Sequence, residues 1–477
     1  MNPQANQSEV WYPMAAAIAA AIDNVKANAD TDIFPSPGDA DLLLSDREKA
    51  IRLVAAIHHD FEQQAANSPP VVIRCLVPSG YFGQRLASQI PTLWNAYYLA
   101  LVIACGPAIE RLRISSKGVF SYRFIAPEAG GRIFDGAIGW AGFLDATRQF
   151  AAHHSYCVVT DISDFYHRIQ IATVSEALQH AGVEKSLRER LVKVLQLLEV
   201  DRYGLPVGGP ASRLLAELTL VRTDTQLQRL NIPFTRYVDD IRMFATSELI
   251  AHSQLVTLAG FLSEDRFSLQ KSKTRVYRSR DLIEEMDLAK ATAFSTAGAS
   301  QTNAEAASLM PHDPYSELRA QMDQQLLQFA SRLDAASTVV REFSKSRLNL
   351  SLAKNLLAAL HHLPDEQLNE VLPALLSLAD KPALTPIFGR LMEAVESNLT
   401  RLNPLAMSQV SARLMSIAFG NEAVAVFDFH RALCVRLLAR MSVGMPDSFV
   451  QALTALEKIS NCALVHREIA AARQRLQ

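Results

Sequence analysis

Cysteine is scarce, five in 477 residues, and the positions 75, 105, 157, 434 and 462 form no Cys-x-x-Cys pair. That spacing excludes a zinc knuckle and a disulfide framework and points to a reducing compartment, a cytoplasm. Neither sign of charge is in excess: 47 Lys plus Arg stand against 49 Asp plus Glu, a net charge of −2. Without a global basic field, contact with nucleic acid has to be local. Long hydrophobic runs are missing as well. The longest, 14–22 and 96–105, are about half the roughly 20 residues that cross a bilayer, so no membrane partner is expected. The first follows Glu9 with no Lys or Arg ahead of it, unlike a secretory leader. What is present, 49% apolar and 20% charged residues, suits globular domains, about three of them at roughly 150 residues each.

Residues 9–66 read as helices interrupted at Phe34-Pro35-Ser36-Pro37-Gly38. β-branched and aromatic text at 71–77 and 118–125 predicts strands, with a long apolar helix over 93–113 between them. From 155 to 280 short strands alternate with helices, which predicts an α+β domain. The Ala, Ser, Thr and Asn of 292–314 suit a linker, and amphipathic segments from 315 onward predict an all-helical domain. A solenoid with units of roughly 40 residues and an irregular bundle both fit that tail.

The most informative stretch is Phe234-Thr235-Arg236-Tyr237-Val238-Asp239-Asp240-Ile241-Arg242-Met243, two strand-like runs with paired carboxylates where the chain turns. Adjacent carboxylates repel, so such a turn is either solvated or built for a divalent cation. Upstream, Val158-Val159-Thr160-Asp161-Ile162-Ser163-Asp164-Phe165-Tyr166 puts an acid at the end of an apolar strand. Asp161 or Asp164 could equally cap the next helix. Two acids on separate strand ends can bracket two magnesium ions about 3.5 to 4 Å apart. Between them, the Gly/Pro-rich 204–210 lets backbone approach a ligand, or is a plain loop with Ser212 capping the following helix. Residues 271–280 hold five basic residues and no acid, a stripe for phosphate or a solvated loop.

Taken together and in order, these segments resemble the palm of reverse transcriptases. Asp161 to Tyr166 resembles the first palm motif, and Leu205-Pro206-x-Gly208-x-x-x-Ser212 the template-and-nucleotide motif. Tyr237-Val238-Asp239-Asp240 resembles the catalytic turn and Leu269-Gln270-x-x-Lys273-Thr274 the lysine motif after it. The resemblance implies a right-hand α+β fold: an N-terminal helical segment (1–70), fingers (71–150), palm (151–290), linker (291–314) and an all-helical, repeat-like C-terminal domain (315–477). It implies an RNA-directed DNA polymerase that joins dNTPs with two Mg2+ ions, for which Mn2+ can substitute. The metal set would be Asp161, Ile162, Asp239 and Asp240, with Lys273 as proton donor or electrostatic stabiliser. Ile162, Ser163, Asp164 and Phe165 would face the triphosphate, and Tyr166 would stand against the sugar 2′-position and favour deoxynucleotides. Pro206 and Gly208 would shape the nucleotide pocket. Arg74 and Arg123 resemble fingers residues that contact triphosphate or template, although an arginine on a strand edge also serves as an ion-paired surface residue.

Val207 stands where many reverse transcriptases have a glutamine and Glu217 where intron-encoded relatives usually carry an asparagine, and neither a nuclease segment nor a basic maturase-like region stands out. The early Asp30-Thr31-Asp32-Ile33-Phe34-Pro35, the Phe120 to Arg123 segment, Ser212-Arg213, Glu217 and the helical tail resemble bacterial enzymes of the abortive-infection and antiphage-defence groups. That branch implies a bacterial cytoplasm, an RNA template or a nascent DNA as partner, and room for template-free synthesis, protein priming and homo-oligomers. A retron-like or intron-derived enzyme copying a cognate RNA, and an idle palm kept as a scaffold, are the alternatives.

Overall fold

The computed structural model describes residues 12–28, 33–34, 40–295, 326–327, 330–331, 335–441 and 447–476. Two units divide the chain: one gathers the residues up to Val72 and Ser88–Leu288, the other Ile73–Ala87 and the C-terminal helices.

In the first unit the central helix is α5, Thr92–Leu112, preceded by Pro91, which cannot continue a helix backwards. Its residues are apolar on every side and nearly all buried, as a helix surrounded by others requires. It is longer than the 96–105 run suggests, long and apolar enough to cross a membrane by composition, yet 89% of its most apolar window is buried inside the fold. The Ala-rich α1, Met14–Asn28, packs along it, small side chains permitting close approach. The helices α8, Ile171–His180, α9, Lys185–Leu197, and α11, Pro210–Arg229, complete this layer. Pro210 opens α11 at a position where its missing N–H costs nothing.

The sheet has four antiparallel strands in the order β4-β5-β3-β6: β3 Tyr156–Asp161, β4 Phe234–Tyr237, β5 Asp240–Ala245 and β6 Arg275–Arg278. Both of its faces are covered. Val158 and Met243 join the main core, while Cys157 and Phe244 turn to the opposite face, where Phe150 of α6, Trp140–His153, stacks on Phe244 at 5.1 Å. The helix α12, Glu248–Glu264, capped by Ser247, packs on β3 and β5.

The segment 118–125 is not the strand expected. Gly118 to Phe120 pair with Arg236 of β4, and Phe124 bridges Phe134, but Tyr122 has φ 44° and breaks the extended run. Its carbonyl and that of Ser121 turn instead to the Arg113 guanidinium, at 2.8 and 2.7 Å.

Residues 71–150, expected as one fingers segment, are divided between the units. The hairpin of β1, Ile73–Ser79, and β2, Gly83–Gln89, clusters with the C-terminal helices, β1 packing against Asp428–Met441 and Ala463–Leu476. The expected linker 291–314 lies outside the described residues from 296 on. Among the described residues of the second unit, helices begin at Leu350, Phe388 and Asp428 and alternate with others at Asp365, Pro404 and Asp447.

Candidate active site

The antiparallel register places Asp161, last residue of β3, directly opposite Asp240, first residue of β5. Asp239 fills the turn between β4 and β5, and its carbonyl accepts the Ile162 N–H at 3.2 Å. Three carboxyl-bearing residues therefore meet at one end of the sheet. Burial, then the charges of Asp161 and Asp240, push the Asp239 carboxyl up to about 7. Burial and Asp161 raise Asp240 as well, with Lys273 and Arg242 opposing.

The lysine motif is fastened to the same strand end. Ser163 donates its N–H to Ser268 at 2.8 Å, Gln270 donates to the Asp161 carbonyl at 2.8 Å, and Leu269 bridges Ile162. The Thr274 and Thr160 hydroxyls meet at 2.7 Å. This fastening brings the Lys273 ammonium onto the Asp161 carboxylate. Burial works against the lysine's charge, but Asp161, Asp240 and Asp239 outweigh it and raise its pKa.

The other nucleotide residues follow in sequence. Ile162 and Phe165 are buried, Phe165 edge-on to Phe267 at 5.3 Å, while Asp164 is exposed with φ 51° and, with no side-chain cap bond, opens the short helix α7, Phe165–Arg168. Tyr166 is half-buried. Its phenol is pushed well up by burial and by Tyr122, Glu217 and Asp239, which places it in the carboxylates' field. The loop carrying Pro206 and Gly208, both buried, leans on α7: Leu205 donates to the Tyr166 carbonyl at 2.9 Å. Gly204 has φ +76°, and a Cβ there would sit 2.2 Å from the His167 Cα, so a glycine is required. Ser212 does not cap α11, whose N-cap is Gly209; its hydroxyl meets that of Tyr98 at 3.3 Å.

One expected contact is corrected. Arg123 is buried, with its guanidinium committed to Glu110 and to the Ile114 carbonyl at 2.8 Å, so it is an internal ion-pair residue. Arg74 stands on β1, in the second unit.

Behind the turn lies a charged layer that sequence reasoning missed. Arg236, 1% exposed, grips Asp224 through two bonds of 2.8 and 2.6 Å and reaches Glu217 at 3.0 Å. Glu217 also accepts from Arg113 at 2.7 Å and from the Ser121 hydroxyl at 2.5 Å. Burial opposes the Arg236 charge, yet Asp224 and Glu217 raise its pKa, whereas burial raises Asp224 despite Arg236. The available signal was on α11: Glu217 and Asp224, seven residues apart, share one face of the helix, and both are buried.

A divalent ion suits this donor set. Carboxylates and the backbone carbonyl of Ile162 are hard oxygen ligands of the kind Mg2+ and Mn2+ take, and their mutual repulsion is what a divalent charge relieves. Among the described residues, no three such side chains converge on one point as they stand, Asp161 being held by Lys273.

Residues 109–303 match the family described as reverse transcriptase (RNA-dependent DNA polymerase). That match over residues 109–303 is to a reverse transcriptase domain, nucleotidyltransferase in type, and indicates RNA-directed DNA polymerase activity. No curated protein matches it in sequence. Similar solved structures include telomerase from Candida albicans in complex with a fragment of telomeric RNA, at 9% identity and TM-score 0.31, covering 86% of this chain and 69% of that one. Apo telomerase from Candida tropicalis aligns at 10% identity and TM-score 0.33, covering 96% and 88%.

Proposed function

We propose that this chain extends DNA from dNTPs at Asp161, Asp239 and Asp240 with two Mg2+ ions, in bacterial antiphage defence of the abortive-infection kind. The observation that carries the chemistry is the register of β3 against β5, which sets Asp161 opposite Asp240 with Asp239 at the adjoining turn. Bound between these oxygens, divalent ions would polarise the attacking hydroxyl and neutralise the departing pyrophosphate. Asp161, Asp239 and the Ile162 carbonyl would hold them, and Asp240 would keep the turn in place. Lys273, tethered through Gln270 and Thr274, would move from Asp161 to the leaving phosphates once the acids are neutralised. Tyr166, beside the Gly204–Pro210 loop, would close the sugar pocket against a 2′-hydroxyl.

Exposed Lys271, Arg275 and Arg278 provide local phosphate contacts in a chain of net charge −2, which favours short contacts over a long template track. The defence assignment, the cytoplasmic site of action and the open modes of priming and oligomerisation rest on the sequence features of that branch.

The test is incubation with Mg2+ and labelled dNTPs, with and without a primed RNA, beside the Asp239→Asn, Asp240→Asn variant. Products are digested separately with nuclease and protease, and phage plaquing is scored in cells carrying either form. Synthesis and protection that vanish together in the variant support the proposal. Synthesis that persists in the variant refutes the site, and protection that persists refutes the link to defence.

A further inference from the structure

Val238, between Tyr237 and the first catalytic acid, has φ 56°. That is a left-handed conformation in which a β-branched side chain is strained, so the surroundings must hold it. Two groups do so, one on each side of the residue. The Val238 N–H donates to the Ser121 hydroxyl oxygen at 2.9 Å, and its carbonyl accepts from Arg236 Nη1 at 2.8 Å. Both clamping groups are oriented by one buried side chain: Glu217 Oε1 accepts the Ser121 proton, which leaves that hydroxyl's lone pairs for the Val238 N–H, and Glu217 Oε2 takes Arg236 and Arg113. Glu217 is fully buried, and Ser121 is too.

We infer that Ser121 and Glu217 are positioning residues of the polymerase, clamping the strained Val238 so that the Asp239 carboxyl faces Asp161. This rests on the polymerase reading of the carboxylates. The clamp touches neither nucleotide nor metal, so its loss should appear in metal affinity and turnover and leave nucleotide KM unchanged. A glycine at 238 adopts positive φ without strain and should make the clamp largely dispensable.

The experiment compares the whole protein with Ser121→Ala, Val238→Gly and the double variant, and with Val194→Ala as a destabilised control in the core of α9. Mn2+ binding is measured by titration without nucleotide, and kcat, KM and the Mg2+ midpoint are measured in polymerisation. Loss of one buried hydrogen bond predicts about a tenfold fall in kcat and in Mn2+ affinity for Ser121→Ala. Within the Val238→Gly background the same change should cost less than about threefold. Unchanged metal affinity in Ser121→Ala, equal losses in both backgrounds, or the same losses in a control of equal Tm would each overturn the inference. Wild-type protein that neither binds Mn2+ nor polymerises would instead remove the polymerase reading, and the clamp's role with it. Glu217→Gln supplies the check on orientation: its amide still accepts from Ser121 but faces two arginines, so metal affinity should fall, and a value equal to wild type would free Glu217 of the role.

Discussion

Replacing Arg236 with Met should be the most destabilising change available near the site. The guanidinium is fully enclosed and bonds Asp224 twice, Glu217 once and the Val238 carbonyl once. Met fills much of the volume but leaves Asp224 buried without its cation, whereas Glu217 keeps Arg113 and Ser121. Breaking one side of a buried pair costs about 3–5 kcal/mol, and for a unit of this size about 2–4 °C of Tm accompanies each kcal/mol, so a loss of roughly 6–20 °C is expected. The deficit also has a pH signature. Burial already holds the Asp224 pKa above its ordinary value with Arg236 present, and without that cation it rises further. An acid whose folded pKa is raised contributes stability below its unfolded pKa and loses it as pH climbs through the folded value, so the variant's deficit should widen as pH rises above the ordinary carboxylate range. Thermal and urea melts over that rise in pH measure it. Replacing Asp224 with Leu in the same chain should return part of the loss, because both buried charges then leave together. A deficit below about 1 kcal/mol, or one flat with pH, would mean that Asp224 finds water or another cation, against the enclosed network described above.

Three further outcomes follow from the geometry. The Asp239 carboxyl, raised to about 7 by burial and its neighbours, binds its proton more tightly when folded. The metal-free protein should therefore lose stability as pH rises from about 4 through about 7, and the Tm gain on adding Mg2+ should be small near pH 5.5 and full near pH 8; an equal gain at both would contradict the coupling. Gly204→Ala should cost at least about 1–3 kcal/mol and impair nucleotide binding, since its Cβ would collide with the His167 backbone under the Tyr166 segment; an unshifted melt would sink that account. Cys462, half-buried and lowered to about 6 by the Cys75 thiol and by backbone N–H groups of Val465 and Leu464, should be the first of the five thiols alkylated at pH 7, as mapped by mass spectrometry. Faster labelling of a buried cysteine such as Cys105 would refute it.

The convergence of the three carboxylates was legible because their signal is local. Asp161 ends a run of β-branched residues, and Asp239 and Asp240 interrupt two such runs, so the sheet and the carboxylates at its end could be expected together. The division of the units was not legible. Nothing in Ile73–Ala87 says that the hairpin packs on helices more than 340 residues later, because its alternation reports a buried face and not the partner of that face. Arg123 failed for a related reason: a basic residue in β-like text reads as exposed, and its partner Glu110 lies on a different element. Arg236 would have been misread in the same way. Its three acceptors are Asp224, Glu217 and a backbone carbonyl of the turn, and chain distance hides all but the last.

The buried layer explains how the sheet end tolerates its acids. Asp161, Asp239 and Asp240 concentrate like charge where water is partly excluded, and one lysine, itself largely exposed, stands against them. A turn under that repulsion would relax by rotating Val238 toward the extended region, which its branched side chain already prefers. Beneath it, Arg113 and Arg236 balance Glu217 and Asp224, so the layer carries no net charge of its own and spends its donors on holding backbone: the Val238 carbonyl from Arg236, the Ser121 and Tyr122 carbonyls from Arg113. Repulsion above and fixed dipoles below then act on the same peptide in opposite directions. Neutralising the acids should relieve the turn and breaking the layer should release it, so Asp239→Asn and Arg236→Met should shift the melting of metal-free protein with opposite sign.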